Sequence, residues 1–335
     1  MNILVTGAAG FIGSHLAQRL RTLGHEVHGI DNFDGYYDRA LKDDNAAELR
    51  AHGVTITEAD LAGAQLDDLL QDIEIVYHLA GQPGISENVP FRSYLRNNVI
   101  ATQRLAQACQ AINTLQCFVN ISTSSVYGVH ATSTEDSETK PTSDYGTTKL
   151  AAEQIILSMQ RSYGFPACSL RIFSVYGPRE RPDKLYPRVI TSILGTSEFP
   201  LYEGSLEHSR SFTYIDDVVD AFVLILNNVD VSLGEIFNIG SETEITTRRG
   251  IEIVEEITGR KARFKSMPPR DGDQLRTLAN IEKAKRLLGY SPSTTPEEGL
   301  ARQIRWYQDK LQGGRLPDPP TLQPRKTNTP VTLTL

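Results

Sequence analysis

The chain is poor in the residues that staple small secreted proteins or anchor membrane proteins. It has three cysteines in 335 residues, Cys109, Cys117 and Cys168, and none stands in a C-x-x-C pair. An odd, scattered set argues against a disulfide framework and for reduced, mostly buried thiols. The seven histidines fall in no zinc-ligand spacing, so no metal site is expected. No stretch approaches the ~20 consecutive apolar residues of a membrane span, and the N-terminus reads as a strand, not a signal segment. A cytoplasmic protein with no membrane partner is expected. Excess positive charge is lacking too: the formal net charge is -7, so there is no global basic field to draw nucleic acid, and none is expected as a partner. There is no internal repeat.

What is present is a hydrophobic fraction of 39%, enough for a large core, and a length that suggests two lobes at about 150 residues per domain. Apolar runs of strand character at Asn2 to Thr6, Glu26 to Ile30, Val54 to Glu58, Ile75 to Leu79, Cys117 to Ile121 and Ala167 to Ile172 alternate with helical spacings at Ser14 to Leu23, Phe91 to Cys109 and Tyr145 to Tyr163. This order predicts an α/β fold, a doubly wound parallel sheet with helices on both faces. From about Pro178 the pattern changes, with Pro182, Pro187 and Pro200 breaking the chain into short elements. A smaller mixed α/β lobe is expected over 178–312, interleaved with the first, which spans 1–177 and regains 213–240 through a helix at Val218 to Asn227 and a strand at Glu235 to Ile239. The segment 313–335 carries Pro317, Pro319, Pro320, Pro324 and Pro330 and reads as a loosely docked tail.

Gly7, Gly10 and Gly13, around Phe11 and Ile12, follow the first strand and open the first helix. In that context glycines permit a tight turn and let backbone N–H groups approach a pyrophosphate. Asp31 ends the second strand with Asn32 behind it, where a carboxylate can accept from an adenosine ribose. A 2′-phosphate would meet like charge there, so NAD is favoured over NADP. Tyr145 and Lys149, four apart on a helix, project from one face. An ammonium beside a phenol favours the phenolate and should lower its pKa towards the range of a general base.

The Gly-x-x-Gly-x-x-Gly spacing, Ser122-Thr123-Ser124-Ser125-Val-Tyr-Gly128 and Tyr145-Gly-Thr-Thr-Lys149 together resemble the extended short-chain dehydrogenase/reductase superfamily, over roughly residues 1 to 310. The chain is similar to its Rossmann-type, NAD-dependent nucleotide-sugar epimerases and dehydratases. The resemblance implies Tyr145 as base, Lys149 as the residue orienting the cofactor ribose and the tyrosine, and Thr123 as the assisting hydroxyl. It implies cofactor loops at Asp60-Leu61 and Leu79-Ala80-Gly81, and a further cofactor-side residue at Asn98. Dehydratases of the family read Thr-Asp-Glu where this chain reads Thr123-Ser124-Ser125, and xylose-forming decarboxylases carry a Glu at the position of Ser125. Hydroxyls do not easily act as acid or base near neutral pH, so the chemistry should stop at oxidation and re-reduction of C4: Tyr145 removes the O4 proton, hydride leaves C4 for NAD, the 4-keto sugar turns over, and hydride returns to its other face.

On the substrate side, Arg171-Ile-Phe-Ser174-Val-Tyr-Gly-Pro-Arg179-Glu-Arg181-Pro-Asp183 and Asp31-Asn-Phe-Asp-Gly-Tyr-Tyr-Asp38 resemble UDP-glucuronate 4-epimerases. The implied carboxylate contacts are Thr123, Ser124, Ser125 and Ser174. Arg210, with Arg270 and Asp273, matches the diphosphate and ribose contacts, for which a forked guanidinium is suited. Arg179, Arg181, Lys184 and Arg188 form a basic cluster in an acidic chain, offered as an anion grip with Arg181 in the substrate set. Ser86 stands where these epimerases often have an arginine. The expected partner is a UDP sugar, and the expected assembly a homodimer through helices equivalent to Phe91 to Cys109 and Tyr145 to Tyr163. Alternatives are a 4-epimerase of neutral or N-acetylated UDP-hexoses, a 4-ketoreductase, or an NAD-binding module without catalysis.

Overall fold

The computed structural model describes residues 1–84, 89–195, 198–269 and 274–314. Seven parallel strands build the main sheet: β1 (Asn2–Thr6), β2 (Glu26–Asp31), β3 (Thr55–Glu58), β4 (Ile75–His78), β5 (Cys117–Thr123), β6 (Ala167–Ile172) and β7 (Ile236–Ile239). Their spatial order is β7-β6-β5-β4-β1-β2-β3. Consecutive β1, β2 and β3 run outward one way and β4 to β6 the other. The order therefore reverses between β1 and β4, and a sheet of this kind opens a crevice beyond the carboxyl ends of its strands at such a point.

The central strands β1, β4 and β5 are buried along nearly their whole length, as a parallel sheet covered by helices requires, whereas the edge strand β3 exposes Thr55 and Glu58. On β1, Ile3 and Val5 enter the core beneath α1 (Phe11–Thr22), while Leu4 faces the opposite core with Val76, Leu105 and Phe118. This is the period-2 alternation of a strand serving two layers. Helices α1 and α7 (Ile215–Asn227) pack together on one side. On the other lie α4 (Ala101–Cys109) and α5 (Asp144–Tyr163), also in contact. The expected strand and helix positions are all occupied, and β7 joins the sheet beside β6, with Ile236 opposite Ser169. Cys117 and Cys168 are buried on neighbouring strands with their sulfurs 3.9 Å apart, unbonded, and Cys109 is buried and free. Among the described residues no helix is long and apolar enough to cross a membrane, and no group of three or more His, Cys, Asp or Glu is placed to hold a metal.

Among the described residues, five helices of seven or more residues escaped the hydrophobic pattern: Arg39–Ala51, Leu185–Leu194, Thr247–Thr258, Glu282–Leu288 and Pro296–Gln312. Helix α2 (Arg39–Ala51) buries Lys42, Asn45, Ala46 and Leu49, a face half polar, so no apolar stripe marks it. Its N-cap Asp38 accepts from Ala40 N–H at 2.8 Å. The helix Pro296–Gln312 is set by a capping box, Thr295 with Glu298, and by Pro296 at its start. The segment expected as one helix from Phe91 to Cys109 is continuous but not uniform: α3 (Phe91–Tyr94) passes through a π-helical turn, Leu95–Ile100, into α4.

Short strands complete the rest. Ser174–Tyr176 pairs with Phe212–Tyr214, and Phe199–Tyr202 pairs with Phe264–Met267. Ser209–Arg210 lies between Ile245–Thr246 and Arg276–Thr277, with His130–Ala131 beyond. Pro200 lies in one of these short strands, but Pro187 does not break the chain as expected: it sits in the first turn of the helix Leu185–Leu194, where no intrahelical N–H is needed. The tail beyond residue 314 lies outside the described residues.

Where α5 meets β6, the buried Arg171 guanidinium donates to both oxygens of Glu153, at 3.0 and 2.7 Å, with side-chain exposures of 2% and 0%. It also donates to Tyr127 Oη at 2.8 Å and to the Glu135 carbonyl at 3.1 Å. Removing one member of such a pair strands the other charge in the core, at a cost of about 3–5 kcal/mol, whereas replacing both with apolar residues costs much less. Glu153→Gln should lower the free energy of unfolding in urea by about that amount, and a double Met replacement by less. A single-variant loss no larger than that of an average exposed substitution would contradict this role.

Candidate active site

The crevice at the switch point opens into a cavity of about 550 Å³. Its floor is the turn between β1 and α1. Gly7 sits at φ 70°, a conformation that disfavours any side chain, and a Cβ at Gly13 would lie 2.1 Å from the Gly7 carbonyl oxygen. Glycine at these positions lets α1 come down on the strand end. The helix begins at an N-cap, Gly10, that offers no side-chain hydrogen bond. The N–H groups that helix geometry leaves over in its first turn therefore border the cavity with Gly10, Phe11, Ile12 and Gly13. An uncapped positive helix end above a glycine cradle fits a dinucleotide pyrophosphate.

The adenosine side is equally formed. Asp31 and Asn32 border the cavity, and Asp31 accepts from Phe33 N–H at 2.8 Å and Ala9 N–H at 3.1 Å. Asp60 and Leu61 border it too, but the Asp60 carboxylate is engaged: Arg96 grips its oxygens at 3.1 and 2.5 Å and Ala62 N–H donates at 3.0 Å. The Arg96 hydrogen bond holds this carboxyl below its usual range. Arg104 donates to the carbonyls of Leu61 and Ala64, so the loop is braced by the helix run behind it.

Leu79, Ala80 and Gly81 line the crevice after β4. Ala80 N–H donates to the Thr6 hydroxyl, which bonds to His78, which in turn bonds to Thr102. His78 stays neutral, its pKa lowered to about 3 by burial and by the nearby Lys149. Asn98, in the π turn, accepts from Gln82 N–H at 2.7 Å and donates to Thr148 Oγ1 at 3.0 Å. Such turns aim a side chain that a regular helix would misplace. Asn98 thereby ties the loop after β4 to the helix of Tyr145. Gln82, not anticipated from the sequence, borders the cavity with a buried Nε2 that has no hydrogen-bond partner among the described residues, a donor open to a ligand.

Tyr145 and Lys149 lie on α5, whose N-cap Ser143 accepts from Gly146 N–H at 3.1 Å. A Cβ at Gly146 would stand 2.7 Å from the Ser125 carbonyl oxygen, so this glycine lets α5 sit against the Thr123-Ser124-Ser125 turn. Thr123 accepts from Ser125 N–H at 3.2 Å and contacts the Ser125 hydroxyl at 3.3 Å. It also hydrogen-bonds to the Tyr145 phenol. The expected lowering of the phenol pKa is not found. Burial pushes Tyr145 above its ordinary value, and the Thr123 hydrogen bond and the Arg181 charge oppose that only in part. The physical reason is desolvation, which penalises a phenolate in the same wall that penalises the Lys149 ammonium.

Of the substrate-side residues, Thr123, Ser124, Ser125, Ser174, Arg181 and Arg210 all border the one cavity. Arg181 is buried over the Tyr36 ring, donates to Asp183 at 3.2 Å and keeps a buried Nη1 without a partner among the described residues. Arg210 donates to the Ser209 carbonyl. The basic cluster splits. Lys184 and Arg188 line the cavity, but Arg179 does not: at φ 65° it turns away to Glu48 at 2.5 Å and Gln18 at 2.9 Å. Between the two arginines Glu180 is held by Gln303 at 2.8 Å. Arg270, Asp273 and Ser86 lie outside the described residues.

Lys149 is buried and its pKa falls from 10.5 to about 8, chiefly by desolvation, with Glu153 pulling the other way. Its folded value lies below its unfolded one, so the fold carries the full cost of the ammonium below about pH 8. That cost fades as pH rises from about 8 towards 10.5, where the unfolded chain holds more protons. A shift of this size corresponds to about 3 kcal/mol. The stability advantage of Lys149→Met over wild type, measured by urea unfolding, should shrink across that window. An advantage independent of pH would show that the ammonium is not desolvated.

A family model described as the NAD dependent epimerase/dehydratase family matches residues 3–240. The UDP-glucuronate 4-epimerase 3 of Arabidopsis thaliana is 36% identical over 94% of this chain and 78% of its own length. A Bacillus subtilis protein described as an uncharacterized UDP-glucose epimerase is 38% identical over 93% of this chain and all of its own length. Among solved structures, the UDP-glucuronic acid 4-epimerase of Bacillus cereus, in complex with UDP-glucuronic acid and NAD, superposes with a TM-score of 0.88 at 37% identity, covering 92% of this chain and 99% of that one. With the glycine cradle, the switch-point crevice and the Tyr145/Lys149 helix face already in place, these likenesses leave one assignment: the chain belongs to the NAD-dependent epimerase/dehydratase family.

Proposed function

We propose that the protein is an NAD-dependent 4-epimerase that interconverts UDP-glucuronate and UDP-galacturonate through a transient 4-keto sugar. The observation that carries this reading is the company of the phenol: Thr123, Ser124, Ser125 and Ser174 share one cavity with the buried guanidinium of Arg181, whose Nη1 has no partner among the described residues. The turn beside Tyr145 holds hydroxyls and no carboxylate, so it has neither the acid nor the base that dehydration needs. A cation with several hydroxyl donors suits a carboxylate.

In this mechanism Tyr145, hydrogen-bonded to Thr123, takes the proton of the sugar O4 and later returns it. Lys149 faces the cofactor ribose and supplies the charge that holds the phenolate. NAD, when bound, supplies a reversible hydride acceptor for C4. Gly7, Gly10, Phe11, Ile12 and Gly13 would hold its pyrophosphate, Asp31 and Asn32 the adenosine ribose, Asp60 and Leu61 the adenine side, and Leu79 to Gly81 with Asn98 the nicotinamide side. Arg210, with Arg270 and Asp273, takes the substrate diphosphate and ribose. Residues 1–177 and 213–240 form the cofactor lobe in this reading, and 178–312 mainly the substrate lobe. A 4-keto uronate is a β-keto acid and loses carbon dioxide once its carboxylate swings perpendicular to the ring. Hydrogen bonds from Thr123, Ser124, Ser125, Ser174 and Arg181 hold it in plane, each charged contact contributing ~1.5–3 kcal/mol.

Incubating the protein with a panel of UDP sugars tests this. UDP-glucuronate should yield UDP-galacturonate with little UDP-pentose, Tyr145→Phe should lower turnover by ~10²–10⁴, and Ser125→Ala should raise the decarboxylated fraction or lower turnover. The Bacillus subtilis likeness favours a neutral-sugar 4-epimerase as the second reading. Epimerisation of UDP-glucose with UDP-glucuronate untouched would transfer the assignment to it.

The reading includes a cytoplasmic homodimer. Phe91, Leu95 and Ile100 are large, exposed apolar side chains on the α3 to α4 run, and Tyr163 is exposed on α5, which marks these helices as a contact face. Light scattering should give twice the chain mass, and Leu95→Glu should reduce it; a monomeric wild type would refute the dimer.

A further inference from the structure

The ribose end of the cleft holds a second charge beside Asp31. Lys42 comes from the half-polar face of α2 and borders the cavity with 9% of its side chain exposed. Its Nζ donates to the Asp34 carbonyl at 3.0 Å, lies over the Tyr37 ring at 5.2 Å, and stands 3.7 Å from Asp31 Oδ1. One turn on, Asn45 donates to the Ala9 carbonyl at 2.9 Å, so α2 grips the glycine turn and the ribose carboxylate from the same side. Burying an ammonium is costly unless it is compensated. Here the compensation is one carbonyl, one ring face and the offset charge of Asp31, all at the end of a ligand cavity.

We propose that Lys42 is a cofactor-specificity residue: it neutralises the Asp31 carboxylate at the ribose end of the site. The preference for NAD then depends on hydroxyl donation to Asp31 more than on net repulsion of a 2′-phosphate. An anion placed there meets a cation as soon as Asp31 loses its charge. This rests on the reading of Asp31 as the ribose acceptor, and it revises the expectation that like charge alone excludes NADP. The test equilibrates the purified holoenzyme with equimolar NAD and NADP, removes free nucleotide by gel filtration, and quantifies what remains bound by chromatography.

Asp31→Asn should raise the bound NADP-to-NAD ratio about tenfold or more, and Asp31→Asn with Lys42→Met should return it towards the wild-type value. Lys42→Met alone should lower the ratio below the wild-type value, whereas Lys42→Arg, which keeps the charge, should leave it in place. If the double variant retains the full NADP gain of Asp31→Asn, or if Lys42→Arg shifts the ratio as far as Lys42→Met does, the role of Lys42 is overturned. If Asp31→Asn shifts nothing, the placement of Asp31 at the ribose fails instead, and the two failures are distinguishable.

Discussion

The buried pair of Glu153 with Arg171 is the contact on which the rest of the site depends. Glu153 lies one turn beyond Lys149 on the catalytic helix, and Arg171 lies on the strand that leads to Ser174. The same guanidinium holds Tyr127, at the end of the Thr123 turn, and Tyr127 passes the network on to Asn238 on the last strand of the sheet. The helix of Tyr145, the hydroxyl turn, the strand before Ser174 and the returning strand are thus fixed by one charge cluster in a dry core, where an unpaired member would be far less stable than the pair. Glu153 also draws the Lys149 pKa upward against desolvation, so the structural pair reaches into the chemistry.

Desolvation governs the electrostatics of the cleft. It keeps His78 neutral, lowers Lys149 and raises Tyr145. These three groups are pushed towards their uncharged forms, opposed by single neighbours such as Thr123, Arg181 and Glu153, while Asp60 is held in its charged form by Arg96. Several buried donors lack partners among the described residues, with Gln82 Nε2 and Arg181 Nη1 in the cleft. A cleft with uncapped helix N–H groups, unmatched donors and a buried guanidinium is complementary to phosphates and a carboxylate, the charged parts of a dinucleotide and a sugar nucleotide.

Much of this was legible along the chain. The glycine turn, the parallel strands and the Tyr145/Lys149 spacing are local patterns, and all of them occupy the expected places. The misreadings came where the outcome turned on surroundings. Arg179 looked like a member of one basic cluster with Arg181, but a left-handed backbone at Arg179 sends its side chain to Glu48 and the helices behind. The Tyr145 pKa moved up because burial outweighed the nearby charges. Helix α2 was invisible because its inward face bears Lys42 and Asn45, polar for the sake of the cleft and the turn they hold.

The sequence by itself determined the element order, the parallel sheet and the family, because periodicity, glycine placement and helix spacing act over a few residues and depend little on what is packed against them. Only the tertiary structure decided which charges share a cavity. Lys42 beside Asp31, Arg181 under the hydroxyls, Asn98 turned by a π-helical step towards Thr148, and Gln82 left with a free donor bring together residues 11 to more than 50 positions apart. Their electrostatics depend on distance and on the water excluded between them, and neither quantity is written in sequence order.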